Sequence, residues 1–246
     1  MTVLSSIMER LADRPPYVGP DRSAELRRPF PAAGGGEGDL RIIGEFKRRS
    51  PSRGALAMNL EPAVCARAYE RGGAVGLSVL TEPNFFQGDP EDLWAAREAT
   101  GLPVLRKDFL RDVADVGESR RMGADAVLLI VAVLGEATGT LLDAAEKAGL
   151  EALVEVHDEA EAHLALSAGA KLIGVNNRDL KTFETDPATT RRLLPLLRGR
   201  ARVVSESGFF TRADCLPLAR EGVDAFLVGE ALLTGRSDLL GPGARP

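Results

Sequence analysis

One spacing recurs along this chain and restricts the folds open to it. A glycine closes a helical stretch, and a short apolar run begins a few residues later. The pairs are Gly73 with Leu77–Leu80, Gly101 with Pro103–Leu105, Gly123 with Ala126–Val131 and Gly149 with Ala152–Val156. They continue with Gly169 and Leu172–Val175, Gly199 and Arg202–Val204, and Gly222 and Ala225–Val228, while Leu40–Phe46 supplies a leading run. Glycine is the residue that ends a helix in a left-handed conformation without steric strain, and short loops join helix to strand in α/β units. The runs are continuous in Val, Ile and Leu, as strands covered on both faces are. Eight such strands alternating with helices in 246 residues fit one closed parallel (β/α)8 (TIM) barrel. A doubly wound open sheet is the runner-up, but no phosphate-binding glycine fingerprint follows the first strand.

The intervening stretches have helix-start signals. Asp89-Pro90 and Asp186-Pro187 each place a capping carboxylate before a proline at the first helical position, and Thr211 caps the next helix. Pro217 falls inside that helix and is expected to kink it. Residues 1–39 form a lead-in and residues 40–246 the barrel. Within the lead-in, Leu4, Ile7, Met8 and Leu11 share one helical face, so a short amphipathic helix packs on the barrel. The following Pro/Gly-rich stretch is either a linker or, through Arg28-Pro29-Phe30, a cover for the barrel mouth.

Composition narrows the chemistry. A net charge of −5 argues against a nucleic-acid partner or an anionic membrane surface. No apolar run reaches spanning length and no export signal is visible, so a cytoplasmic location is expected. The two cysteines, Cys65 and Cys215, read as small buried apolar residues within helices. The histidines are His157 and His163, and no Cys/His spacing suits a transition metal. No metal or other cofactor is expected, which leaves the work to Lys, Glu, Asp, Asn, Ser and Arg.

In a barrel of this kind the active site lies at the C-terminal ends of the strands. That rule gathers Glu45, Phe46 and Lys47 from the first strand and Lys107-Asp108-Phe109 from the third. It adds Glu155 from the fifth, Asn176-Asn177-Arg178 from the sixth, Ser205-Glu206-Ser207-Gly208 from the seventh and Gly229-Glu230 from the eighth. Any one of these charges alone reads as a solvated strand end. Lys107 and Glu155, however, interrupt apolar strands, where an unpaired charge is costly and a partner or ligand is expected. Close together they perturb each other's protonation and can serve as an acid and base. Ser207-Gly208 and Gly229-Glu230 stand where many barrels bind phosphate, with Lys47 able to add positive charge. Phe85, Phe86 and Phe109 are either core plugs or one wall of an apolar pocket. A phosphate clamp beside an apolar wall suggests a phosphorylated small molecule with a flat hydrophobic part.

The ordered motifs resemble one family. Glu45-Phe46-Lys47-Arg48-Arg49-Ser50-Pro51-Ser52 is similar to the Glu-x-Lys-x-x-Ser-Pro-Ser signature of indole-3-glycerol-phosphate synthases. The likeness continues through Ser78–Glu82, Phe85–Gly88, Pro103–Phe109, Leu153–His157, Gly174–Leu180, Ser205–Gly208 and Phe226–Glu230. It implies ring closure of 1-(2-carboxyphenylamino)-1-deoxyribulose 5-phosphate to indole-3-glycerol phosphate in tryptophan biosynthesis, with loss of carbon dioxide and water and without a cofactor. It further implies that Lys107 is the acid at the ketone and that Lys47 holds the substrate carboxylate and assists dehydration. Glu155 and Glu45 become the carboxylates that stabilise the cationic intermediate and remove its proton. Asn176 and Arg178 orient hydroxyls or the carboxylates. Ser52, Ser207, Gly208, Gly229 and Glu230 surround the phosphate, and Phe85, Phe86 and Phe109 flank the aromatic ring. The expected form is a monomer able to associate with other enzymes of the tryptophan pathway. The sequence departs from the family in its short glycine-rich lead-in and in Val113-Ala114-Asp115, where Pro-Tyr-Gln is common.

Two other readings compete. A different phosphate-binding barrel enzyme, such as a phosphoribosylanthranilate isomerase, needs a Cys/Asp pair at the rim, and neither cysteine stands at a strand end. A silent barrel serving as a partner subunit has no need of Lys107, Glu155 and Glu45 together.

Overall fold

In a computed structural model, residues 3–24, 27–31, 40–51, 54–179, 184–235, 237–242 and 244 are described. Eight parallel strands close on themselves: β1 (Ile42–Phe46), β2 (Gly76–Leu80), β3 (Val104–Lys107), β4 (Ala126–Ile130), β5 (Glu151–Val156), β6 (Leu172–Asn176), β7 (Arg202–Glu206) and β8 (Ala225–Val228). Neighbours around the barrel follow chain order, and β1 pairs with both β2 and β8. This is the (β/α)8 barrel expected from the glycine spacing. A short antiparallel hairpin, Arg49–Ser50 with Gly54–Ala55, follows β1.

Alternation along each strand sorts the apolar residues into two bodies. Ile43, Leu105, Leu128, Leu153, Leu172, Val204 and Leu227 belong to one cluster, which fills the barrel interior. Ile42, Leu77, Val104, Val127, Val154, Ile173, Val203 and Phe226 belong to another, between the sheet and its helices. The same parity carries Glu45, Lys107, Glu155 and Glu206 inward, each two residues beyond an interior apolar residue.

Several helix boundaries follow the expected signals. Helices α1 (Val3–Leu11), α2 (Pro62–Arg71), α3 (Pro90–Glu98) and α4 (Val113–Arg121) precede the long helical stretches of the second half. Asp89 caps α3 in a reciprocal capping box with Asp92. Thr211 is the N-cap of the helix Arg212–Glu221, which continues through Pro217. The helix expected to begin at Pro187 starts at Ala188 instead, and Asp186 still accepts its first N–H, from Ala188 at 3.0 Å. Cys65 and Cys215 are buried. Among the described residues, no helix is long and apolar enough to cross a membrane.

The lead-in takes an unexpected course. Ile7 and Leu11 of α1 are buried in the same cluster as Phe109 and Ile130, at the C-terminal mouth of the barrel. Arg14 then pairs with Asp108 at 2.8 Å. The chain next descends over the groove between α3 and α4. Tyr17 donates its backbone N–H to Glu118 at 2.9 Å, and Arg22 lies 4.4 Å over the Trp94 ring. It reaches the opposite end, where the Arg28 guanidinium donates to the carbonyls of Thr100 and Leu102, and its N–H donates to Asp125. Phe30 is fully buried beside Gly76, the first residue of β2. Arg28-Pro29-Phe30 therefore closes the base of the barrel and does not cover the mouth. Phe30 needs an apolar seat, and the interior cluster is open at that end, whereas the mouth is lined by charge.

Candidate active site

The register sets the heights of the inward-facing polar groups. Lys107 lies opposite Leu80, Glu155 opposite Ile130 and Gly174, and Glu206 opposite both Asn176 and Leu227. They surround a cavity of about 240 Å³ at the mouth. Glu45, Lys47, Lys107, Glu155, Asn176, Arg178, Phe86, Phe109, Ser207, Gly208, Gly229 and Glu230 all line it. Phe85 is the exception among the expected residues that are described. It packs against the interior cluster without lining the cavity. Ser52 lies outside the described residues.

Lys107 is the hub. Its Nζ donates to Glu206 at 2.9 Å and lies 3.3 Å from Glu155. Burial works against its charge, but Glu206, Glu155 and Glu45 together raise its pKa, so it stays an ammonium at neutral pH. Glu155 is also buried, which opposes ionisation, yet Lys107 and His157 bring it down to about 2. Glu206 has the same burial with less compensation and is pushed up to about 7. Lys47 and Glu45 form a second pair, and Lys47 with Lys107 outweighs burial to hold the Glu45 carboxyl below its usual range. Two close approaches depend on glycine. A Cβ at Gly174 would stand 2.2 Å from Glu206 Oε1, and one at Gly229 would stand 2.4 Å from Glu45 Oε1.

Beneath the site a buried network fixes the end of β3. Asp108 accepts from Arg106 at 2.9 Å, from Thr81 at 2.7 Å and from Arg14 at 2.8 Å. Burial resists its charge, but Arg106 and Arg14 hold its pKa down. Asp115, part of the segment that departs from the family pattern, accepts from Arg111 and lies 3.7 Å from Arg14. It thereby ties the lead-in to α4. The apolar wall is set by Glu82, which accepts the backbone N–H groups of Asn84, Phe85 and Phe86. The Phe86 and Phe109 ring centroids are 6.3 Å apart. At the end of β7, Ser207 has φ +68° and Gly208 φ +91°. The Ser207 hydroxyl donates to Asn176 at 3.0 Å, and Asn177 donates to the Ser207 carbonyl at 3.0 Å. These bonds stabilise a backbone conformation that a serine seldom adopts.

Residues 22–239 match the family model described as indole-3-glycerol phosphate synthase. The chain belongs to the indole-3-glycerol phosphate synthase family. A synthase of that name from Ralstonia nicotianae is 43% identical over 95% of this chain and 85% of its own length. One from Streptomyces coelicolor is 45% identical over 100% and 97%, and one from Kineococcus radiotolerans is 48% identical over 84% and 78%. Among solved structures, an N-acetylmannosamine-6-phosphate 2-epimerase from Clostridium perfringens aligns with a TM-score of 0.59 at 16% identity, covering 78% of this chain and 86% of that one. That likeness is one of fold. Glu206, gathered from the sequence among the strand ends, was given no role there, and the inward parity of Val204 would have marked it as facing the cavity. Among the described residues, no group of three or more His, Cys, Asp or Glu side chains could hold a metal ion.

Proposed function

We propose that this barrel closes the indole ring of 1-(2-carboxyphenylamino)-1-deoxyribulose 5-phosphate, giving indole-3-glycerol phosphate, carbon dioxide and water. The observation that carries this reading is Lys107, an ammonium held between two buried carboxylates on the floor of a cavity with an aromatic wall. The ring carbon bearing the carboxylate attacks the substrate ketone. As the new carbon–carbon bond forms, the carbonyl electron pair moves to oxygen and takes a proton from Lys107. Loss of carbon dioxide returns its bonding pair to the ring. The hydroxyl then leaves as water, assisted by Lys47, and a carboxylate removes the proton that completes the indole. In this reading Glu155 and Glu45 serve that last step and stabilise the cation before it.

Lys47, with Arg178, suits the substrate carboxylate. Phe86 and Phe109 offer the aromatic ring an apolar face. The backbone at Ser207-Gly208 and Gly229-Glu230, with Ser52, is the proposed phosphate seat, because glycine allows an anion close approach to N–H groups. In this reading Glu230 acts through its backbone, since its carboxylate would repel a phosphate. The lead-in, residues 1–39, and the barrel, residues 40–246, act as one catalytic unit, monomeric and cytoplasmic, open to association with other enzymes of the pathway.

The test is conversion of the substrate followed by indole fluorescence. Turnover is expected without added metal, and none at high enzyme concentration overturns the reading. Lys107→Ala should lower kcat by about 10²–10⁴-fold, the usual contribution of a positioned acid, while substrate still binds. Near-normal turnover by that variant excludes the acid role.

A further inference from the structure

Glu155 and Glu206 are two buried carboxylates sharing one lysine, and their surroundings differ on the far side. Glu206 meets Lys107 through Oε2, while its Oε1 is buried without a hydrogen-bond partner. Glu155 meets Lys107 through Oε2 and has His157 Nε2 at 3.3 Å from Oε1, an ion-pair approach outside hydrogen-bond geometry. The other imidazole nitrogen, Nδ1, lies 3.0 Å from Glu161 Oε2. That same oxygen accepts the backbone N–H of His157 at 2.8 Å. Glu161 is fixed in turn, in the first turn of the helix Glu159–Ser167, where its N–H donates to Asp158 at 2.9 Å. His157 thus stands between two carboxylates with one ring nitrogen towards each. A neutral imidazole carries a single N–H, so either tautomer would turn a lone pair onto a carboxylate oxygen. Only the imidazolium sets a positive charge against both.

We propose that His157, held as an imidazolium between Glu155 and Glu161, is a positioning residue that keeps Glu155 ionised beside Lys107 and leaves Glu206 the first of the pair to take up a proton. The groups facing each member agree. Around Glu155 stand Lys107 from β3, Asn176 from β6, His157 from its own strand end and the like charge of Glu206 from β7. Around Glu206 stand Lys107, Glu155 and Glu45, two of them acidic. Burial opposes the charge on His157, but its contacts with Glu155 and Glu161 push it up to about 10. For the ring closure proposed above, on which this consequence rests, the assignment makes Glu155 the base for the final proton. Glu206 is then the first of the two to take up a proton as pH falls. His157 itself does not line the cavity, so it acts through Glu155.

The chain has two histidines, which makes ¹⁵N NMR of the imidazole rings direct, with His163→Gln assigning the signals. At pH 8 both ring nitrogens of His157 should be protonated. A neutral tautomer at that pH overturns the proposal whether or not the protein turns over its substrate. The kinetic arm uses His157→Phe and Glu161→Gln. The acid limb of the kcat profile should move up by about one pH unit or more in His157→Phe, as expected when a carboxylate loses an adjacent cation, and by less in Glu161→Gln. KM should stay within about threefold of the parent, because the phosphate and ring contacts are elsewhere. A folded His157→Phe variant with an unmoved acid limb refutes the positioning role. Absence of turnover in the parent would instead sink the ring-closure reading and leave the NMR result standing.

Discussion

Gly174→Ala isolates the packing of the site from its chemistry. Alanine in place of glycine, at a backbone conformation it tolerates, ordinarily stabilises by about 0.4–1 kcal/mol through the unfolded chain. Here the added Cβ would stand 2.2 Å from Glu206 Oε1 and 3.3 Å from Leu153 Cδ1. The first distance lies far inside van der Waals contact, so the Glu206 carboxylate must move and its 2.9 Å contact with Lys107 breaks. Losing a hydrogen bond to a charged group costs about 1.5–3 kcal/mol. Lys107 keeps Glu155 at 3.3 Å, which avoids the larger cost of an unpaired buried charge, and the alanine gain offsets part of the loss. The net is about 1 kcal/mol, and at about 2–4 °C per kcal/mol for a chain of this length, Tm should fall by about 2–4 °C. The decisive assay is a double-mutant cycle by calorimetry at pH 7.5. In a Glu206→Ala background the clash is gone, so Gly174→Ala should be neutral or stabilising, a coupling of about 1–3 kcal/mol. Penalties that add within about 0.5 kcal/mol, or a higher Tm for Gly174→Ala alone, would show that Glu206 does not occupy that space.

Two further outcomes follow from titration and burial. Glu206 binds its proton more tightly in the folded chain, with its pKa raised from 4.5 to about 7, so the folded state loses stability as pH climbs through that window. Glu206→Gln removes this term. Its Tm should draw ahead of the parent between pH 4.5 and 7 and stay ahead at pH 8, and a constant gap across the series would refute the raised value. Burial pushes both Cys65 and Cys215 up to about 12, so a thiol-disulfide reagent at pH 8 should label neither cysteine until the chain unfolds. Rapid labelling of the native protein would contradict their placement.

The barrel was legible because its strands are apolar and its helices end on glycine. The strand ends were less so. The runs at Pro103–Leu105, Leu172–Val175 and Arg202–Val204 extend in the structure to Lys107, Asn176 and Glu206. Apolar composition stops where the side chains become polar, yet the backbone keeps pairing, since these residues face inward and find partners in one another. Parity would have turned Glu206, already gathered at the rim, inward beside Lys107. Phe85 was harder to separate from Phe86. Adjacent residues on a loop have no fixed period, and the backbones of both phenylalanines donate to the same Glu82 carboxylate. The lead-in misled for a related reason: Arg28 and Phe30 have no local partners, and their seats lie on α3, β2 and the loops before β3 and β4. His157 read as a residue without ligand spacing, and its significance depends on Glu161, one helical turn away, which no metal or triad pattern singles out.

The path of the lead-in bears on how the chain acquires its shape during synthesis. Arg14 and Arg28 leave the ribosome before the carboxylates that receive them, Asp108 and Asp125, which lie 94 and 97 residues later. At about 5–20 residues per second, the strap has nothing to fasten to for about 5–20 s. Through that interval α1 holds Ile7 and Leu11 without their native seat, which favours a chaperone's attention. Fastening then waits for β3 and β4, so the lead-in reaches its final position well after it is made.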